Sequence, residues 1–143
     1  MIRIAKGGAG RALKRREIFS LLFGSLLAAG CGSGRPGKPE IPASVSPGWK
    51  LSSFDRAAAP AGIPASDGPE CWRGEYSGEG TAEVWVCGYK TSAGAFDAVQ
   101  RARAEAQTVK FQEGSWLVLV KWNNAPKAGV TALVRAIQGV LRR

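Results

Sequence analysis

The sequence predicts a mixed α+β domain: a two-layer sandwich whose mainly antiparallel sheet of four to five strands carries two helices on one face. Two observations support this fold class. Two pairs of extended segments surround turn signals at Gly78-Glu79-Gly80 and at Glu113-Gly114, as in β-hairpins. Each pair is followed by a segment with helical periodicity. The predicted order from residue 70 is therefore strand, strand, helix, strand, strand, helix.

The first predicted hairpin contains two of the three cysteines of the chain. If Ser77 faces Thr81 across a three-residue loop, antiparallel pairing places Cys71 opposite Cys87, within disulfide distance. An even cysteine pair in an exported chain favours a structural disulfide. A metal site is disfavoured because the chain has no histidine and no further soft ligands at zinc spacing. The same register directs a set of mostly apolar residues toward a core: Trp72, Gly74, Tyr76, Ala82, Val84 and Val86.

The opposite face of this hairpin carries the candidate binding residues. The register places Arg73 opposite Trp85 and Glu75 opposite Glu83, and this last like-charge pair argues mildly against the register. An arginine beside an indole ring forms a flat polar and aromatic patch, so Arg73 and Trp85 are the candidate binding residues. The alternative is that another segment of the same chain covers Trp85.

The remaining elements follow from hydrophobic periodicity. Residues 92–107 are rich in alanine and predict a helix. Its expected apolar stripe is Phe96, Val99, Ala102 and Ala106. Residues 116–122, "WLVLVKW", are apolar on both faces, which predicts a strand in the centre of the sheet. Residues 130–141 repeat apolar side chains every three or four positions and predict a C-terminal helix. Trp49 begins a further candidate strand.

The first 30 residues indicate an export signal. The apolar run from Ile18 to Ala29 is 12 residues long and follows several basic residues, whereas a helix needs ~20 residues to cross a bilayer. Its ending, "LAAGC", resembles the lipobox of bacterial lipoproteins, which implies that Cys31 is lipidated and begins the mature chain. The alternative is an ordinary cleaved signal. The pair Arg15-Arg16 also resembles a twin-arginine motif, so the export route stays open.

This interpretation defines the predicted organisation of the chain. Residues 1–30 form a lipoprotein signal peptide, residues 31–48 form a flexible tether rich in Gly, Ser and Pro, and residues 49–143 form a single α+β domain. The lipid on Cys31 attaches the protein to a membrane. Because Gly32, and not an aspartate, follows the cysteine, the predicted location is the outer membrane, facing the periplasm.

The basic composition belongs mostly to this leader. The chain has 20 Lys and Arg against 11 Asp and Glu, a net charge of +9, and residues 1–30 hold six of the former and one of the latter. The rest of the chain therefore carries 14 minus 10, or +4. Nucleic-acid binding needs a concentrated basic surface, so no nucleic-acid partner is predicted.

Several short segments resemble an uncharacterised family of small bacterial lipoproteins. They are Gly48-Trp49-Lys50, Glu83-Val84, "AFDAVQRARAEAQTV", "WLVLVKW" and the final helix. The resemblance covers residues 47–143 and implies the element order given above. It carries no active-site residues.

The sequence contains few of the residues and motifs that enzyme catalysis uses. The absence of histidine removes the commonest general base, and no nucleophile or phosphate-binding motif occurs. We therefore predict no catalytic residues, no cofactor and no metal site. The expected function is that of a non-enzymatic cell-envelope lipoprotein with a binding or structural domain, whose partner is an envelope protein or a glycan. The alternative is a periplasmic enzyme or an enzyme accessory subunit.

Overall fold

The computed structural model describes residues 36–64, 68–103 and 105–143. In this part of the chain, six strands form one antiparallel sheet in the order β1-β2-β3-β4-β6-β5, curled into a half-barrel, and two helices pack on it. The elements are β1 (Ser44–Val45), β2 (Trp49–Ala57), β3 (Glu70–Ser77), β4 (Thr81–Gly88), α1 (Ser92–Arg101), β5 (Thr108–Glu113), β6 (Trp116–Asn123) and α2 (Lys127–Leu141). The α+β class is confirmed, but the sheet is larger than the predicted four to five strands.

The register of the first hairpin is the predicted one. Pairing between β3 and β4 runs from Ser77 opposite Thr81 to Cys71 opposite Cys87 without a shift. The turn between the two strands requires glycine: Gly78 has a φ of 146°, and a β-carbon there would overlap the carbonyl oxygen of Gly48. The turn and the alternation of apolar residues together fix the register.

The extra strand precedes the predicted domain. β1 pairs with β2, and residues that precede β1 also contact the sheet. The Tyr76 hydroxyl donates a hydrogen bond to the carbonyl of Pro42 at 2.6 Å, and the amino group of Lys38 donates to the carbonyl of Phe54 at 2.9 Å. Ile41 packs on the core, where Gly74 leaves space for it. Residues 38–48, assigned above to the tether, therefore belong to the domain.

The two helices lie on opposite faces of the sheet, which corrects the prediction of two helices on one face. Side chains alternate between the faces of a strand, and consecutive residues of β6 belong to different clusters. Val118 and Val120 pack with Leu133 of α2, whereas Leu117 and Leu119 pack with Ala95 and Ala98 of α1. The prediction that β6 is central and apolar on both faces is confirmed, and each face has its own helix for that reason.

The predicted stripe of α1 is correct only in part. Phe96 is 56% exposed and Ala95 and Ala98 face the sheet instead, whereas Ala102 is buried in the same cluster and Val99 packs against it. The helix also ends at Arg101 and not at Gln107. The amino group of Lys110 donates hydrogen bonds to the carbonyls of Val99 and Ala102. These carbonyls have no partner within the helix when it ends at Arg101, and Lys110 provides one.

Helix α2 agrees with its prediction. It spans Lys127–Leu141 and buries Val130, Leu133 and Ile137. Its start is tied to β2, because the indole N–H of Trp49 donates a buried hydrogen bond to the carbonyl of Gly129 at 2.9 Å. Trp49 thus links β2 to α2, and the prediction that it begins a strand is confirmed.

Candidate functional site

The face of the sheet beneath α1 contains the disulfide. The Sγ atoms of Cys71 and Cys87 are 2.10 Å apart, and both residues are buried, with 2% and 0% exposure. They pack with Ala95 and Ala98, whose small side chains let the helix approach the sheet closely. The bond ties the open end of the first hairpin under α1, where it has a structural role and no access to a reaction partner.

Next to the disulfide on the same face, Arg73 sits between two glutamates. Its guanidinium group forms salt bridges with Glu75 at 2.9 Å and with Glu83 at 2.7 Å. The hydrogen bond with Glu83 is the main cause that raises the pKa of Arg73. The like-charge pair that argued against the register is Glu75 opposite Glu83. Arg73, two residues before Glu75 on β3, forms salt bridges with both and so offsets their repulsion.

Arg73 and Trp85 lie side by side, as the register predicts. The central carbon of the guanidinium group is 5.5 Å from the centre of the indole ring, within cation–π range. The guanidinium group therefore contacts two carboxylates and one aromatic ring. The pair presents a planar, partly exposed surface beside a cavity.

This cavity, which we call the Trp85 pocket, has a volume of about 250 Å³. Trp85 and Leu119 provide apolar surface at its base, and the loop of residues 60–63 forms one wall. After α1, Ala102, Arg103, Glu105 and Thr108 line the cavity, as does Lys121 of β6. Trp85 is half-buried: Ile63 of the loop belongs to the cluster that it packs against, while part of the ring stays open to the cavity.

Two contacts hold the walls of the pocket in place. The backbone N–H of Arg103 donates a hydrogen bond to the carbonyl of Gly62 at 3.4 Å, which joins the loop to the end of α1. At the rim, the amino group of Lys121 forms a salt bridge with Glu105 at 3.7 Å. The pocket therefore has an apolar base and a rim with charges of both signs.

The charged side chains that line the pocket are Arg103, Glu105 and Lys121, and of these Lys121 and Glu105 pair with each other at the surface. Within residues 36–64, 68–103 and 105–143, no cluster of three or more Cys, Asp or Glu side chains is placed to hold a metal ion. In the same residues, no helix is long and apolar enough to span a membrane.

Of the two binding residues predicted from the sequence, Trp85 lines the pocket and Arg73 lies beside Trp85. The sequence does not single out Ile63, Arg103 and Lys121, because they come together from separate segments. One signal was available: Ile63 is the large apolar residue in the otherwise small-residue segment "RAAAPAGIPASDGP". The predicted lipidation site, Cys31, lies outside the described residues.

No protein-family model matches this chain, and searches of curated proteins and of solved structures give no significant match. The arguments for function therefore come from the sequence and from the geometry of the site.

Proposed function

We propose that this protein is a non-enzymatic lipoprotein of the cell envelope, anchored through an acyl group on Cys31, whose domain binds a partner at the Trp85 pocket. The observation that carries the binding role is the half-open indole of Trp85 beside Arg73, whose guanidinium group pairs with two carboxylates. Tryptophan and arginine are enriched among the residues that dominate binding energy at interfaces.

The size of the pocket indicates what the partner inserts. Pockets for drug-sized molecules measure ~300–1,000 Å³. At about 250 Å³, the Trp85 pocket suits one amino-acid side chain or one sugar ring. An envelope protein or a glycan with a flat apolar group and polar flanks matches its apolar base and mixed-charge rim. An enzyme or an enzyme accessory subunit remains the second candidate class from the sequence, and no arrangement of groups in the pocket favours it.

The anchor positions this pocket near a membrane. Since Pro36 already lies next to Gly88 of β4, four residues, 32–35, connect Cys31 to the folded domain. The extended chain from Cys31 to Pro36 reaches at most ~18 Å. The domain would therefore meet partners close to the outer membrane, on its periplasmic side.

The anchor is tested by Cys31→Ser. We expect this variant to leave the membrane fraction and appear in the soluble fraction of the envelope, because acyl chains supply the membrane affinity. Retention of the variant in the membrane pellet after a high-salt wash would contradict the lipid anchor.

The binding site is tested by photo-crosslinking in intact cells. A photoreactive amino acid replaces Arg103 at the rim of the pocket, and in a matched control it replaces Lys50, an exposed cation on β2. We expect a discrete adduct from position 103 that Trp85→Ala weakens, and none from position 50. Equal adducts from both positions, or none from position 103, would contradict a partner at the pocket.

A further inference from the structure

A second opening, which we call the α2 cleft, lies on the other face of the sheet. It has a volume of about 510 Å³, and most of its surface is apolar. Apolar side chains from three elements and a loop line it: Val109, Trp122, Ala125, Val130 and Val134. Six of its nine lining residues belong to α2, so the cleft follows the helix axis.

The cleft exists because α2 fills the half-barrel unevenly. Leu133 and Ile137 are fully buried against the sheet, whereas Val134, on the side toward the edge strand β5, is only partly covered. Trp122 of β6 is also only partly buried. Apolar surface left open to water gains free energy when an apolar group of another molecule covers it.

The charges of the cleft identify the kind of molecule. Lys127 and Arg135 line it and are exposed, and they are ~12 Å apart along the helix axis. Among the described residues, neither cation forms a salt bridge, and the lining contains no Asp or Glu. An apolar cleft with an unpaired basic rim complements a ligand that has an apolar chain and a negative head group.

We propose that the α2 cleft binds an anionic single-chain amphiphile of the fatty-acid type. The acyl chain lies along Val130, Val134 and Trp122, and the carboxylate pairs with Lys127 or Arg135. The volume falls within the range of small-molecule sites. The proposal is independent of the Trp85 pocket, which lies on the opposite face of the sheet.

Other occupants fit the cleft less well. A second copy of the chain, docked symmetrically, would bring the same two cations against themselves. A peptide strand added to the free edge of β5 would run along β5, but Val109 is the one lining residue from that strand. The acyl group proposed for Cys31 carries no carboxylate, so the basic rim favours a separate ligand.

The test uses the full chain with Cys31→Ser, which removes any acyl group of its own, after extraction of bound lipid. Oleate and oleyl alcohol compete with a fluorescent fatty acid for the protein. We expect oleate to displace the probe, and oleyl alcohol, which has the same chain without the charge, to bind roughly fivefold more weakly, as expected for a partly exposed ion pair.

Two variants test the place and the charge separately. Val134→Asp puts a carboxylate into the apolar wall and should abolish binding of both competitors. Lys127→Glu/Arg135→Glu should weaken oleate and leave oleyl alcohol unchanged. The matched control, Lys50→Glu/Lys90→Glu, makes the same change in net charge at exposed positions outside the cleft and should leave both affinities unchanged.

Several results would overturn the proposal. They are an absence of oleate binding, equal oleate affinity in Val134→Asp and its parent, or equal affinity in the rim variant and the control. If Val134→Asp does not fold, Thr131→Trp at an exposed lining position fills the cleft, and undiminished binding to it also overturns the proposal. Dimers that dissociate in either variant, with no oleate bound, would assign the cleft to a second copy.

Discussion

The two faces of the sheet are stabilised in different ways. The face under α2 is a core of large side chains: Trp49, Tyr76, Val84, Val118, Leu133 and Ile137 are almost fully buried there. The face under α1 has alanines, a disulfide and a set of surface ion pairs. Both faces bury apolar area, since Tyr89, Leu117 and Leu119 are buried on the α1 face, but that face adds a covalent bond to the burial and keeps a cavity beside it.

The largest expected effect comes from the α2 face. Leu133→Ala should lower the free energy of unfolding by about 2–5 kcal/mol, because Leu133 is fully buried and its neighbours cannot close the cavity. Phe96→Ala, on the outer side of α1, is the matched control and should change stability by no more than about 0.5 kcal/mol, because Phe96 is 56% exposed. Urea unfolding of both variants checks the pair. A large loss of stability in Phe96→Ala would instead support the helix stripe predicted from the sequence, in which Phe96 faces the core.

The disulfide should have the next largest effect. Replacing Cys71 and Cys87 together with alanine removes a link between residues 16 positions apart. In the chain-entropy account this costs about 3 kcal/mol. Unfolding of the oxidised protein, the reduced protein and the double variant measures the difference. Unchanged stability after reduction would contradict the conclusion that the α1 face depends on its disulfide.

The ion pairs around Arg73 should contribute less. Arg73→Ala leaves Glu75 and Glu83 opposite each other and should destabilise the protein by about 1 kcal/mol at low salt, since exposed salt bridges are individually weak. Adding Glu83→Gln should recover part of this loss, because the like-charge contact is then gone. Equal losses in the single and the double variant would show that repulsion between the glutamates has no role.

The smallest effect is a dependence on pH at the end of α2. Hydrogen bonds from Arg142, and then from Gln138, lower the pKa of Glu113. A carboxylate with a lowered folded-state pKa stabilises the protein above its unfolded-state pKa, and this contribution is lost as the pH falls through the folded-state value. Glu113→Gln should therefore be less stable than its parent near pH 7, by less than Arg73→Ala, and the two should converge in acid. If the stability difference between Glu113→Gln and its parent stayed constant down to acid pH, the lowered pKa of Glu113 would be excluded as its cause.

The parts of the fold that depend on local patterns could be predicted from the sequence. The turn at Gly78-Glu79-Gly80 and the period-two alternation of the flanking residues were enough to align Cys71 with Cys87. The apolar period of α2 and its bounds follow from side chains spaced three and four apart. In each case the information lies within about 20 consecutive residues.

The parts that depend on tertiary contacts could not be predicted in the same way. The two apolar faces of β6 did indicate that both faces of the sheet are covered, but they did not indicate which helix covers which face. In α1, the choice of Ala95 and Ala98 over Phe96 follows from close packing on the disulfide, which the helix sequence does not contain. The Trp85 pocket joins a loop, a helix end and three strands, so no single segment reveals it.

Amide hydrogen exchange in isolated membranes is the measurement that tests the binding role of the α1 face most directly. The native protein in its membrane is compared with Cys31→Ser protein in solution. A bound partner should give additional protection at residues 61–63, 102–103 and 105–108, around the Trp85 pocket, and unchanged exchange at the core residues Val84 and Val118. Equal exchange around the pocket in both samples would contradict a partner bound there.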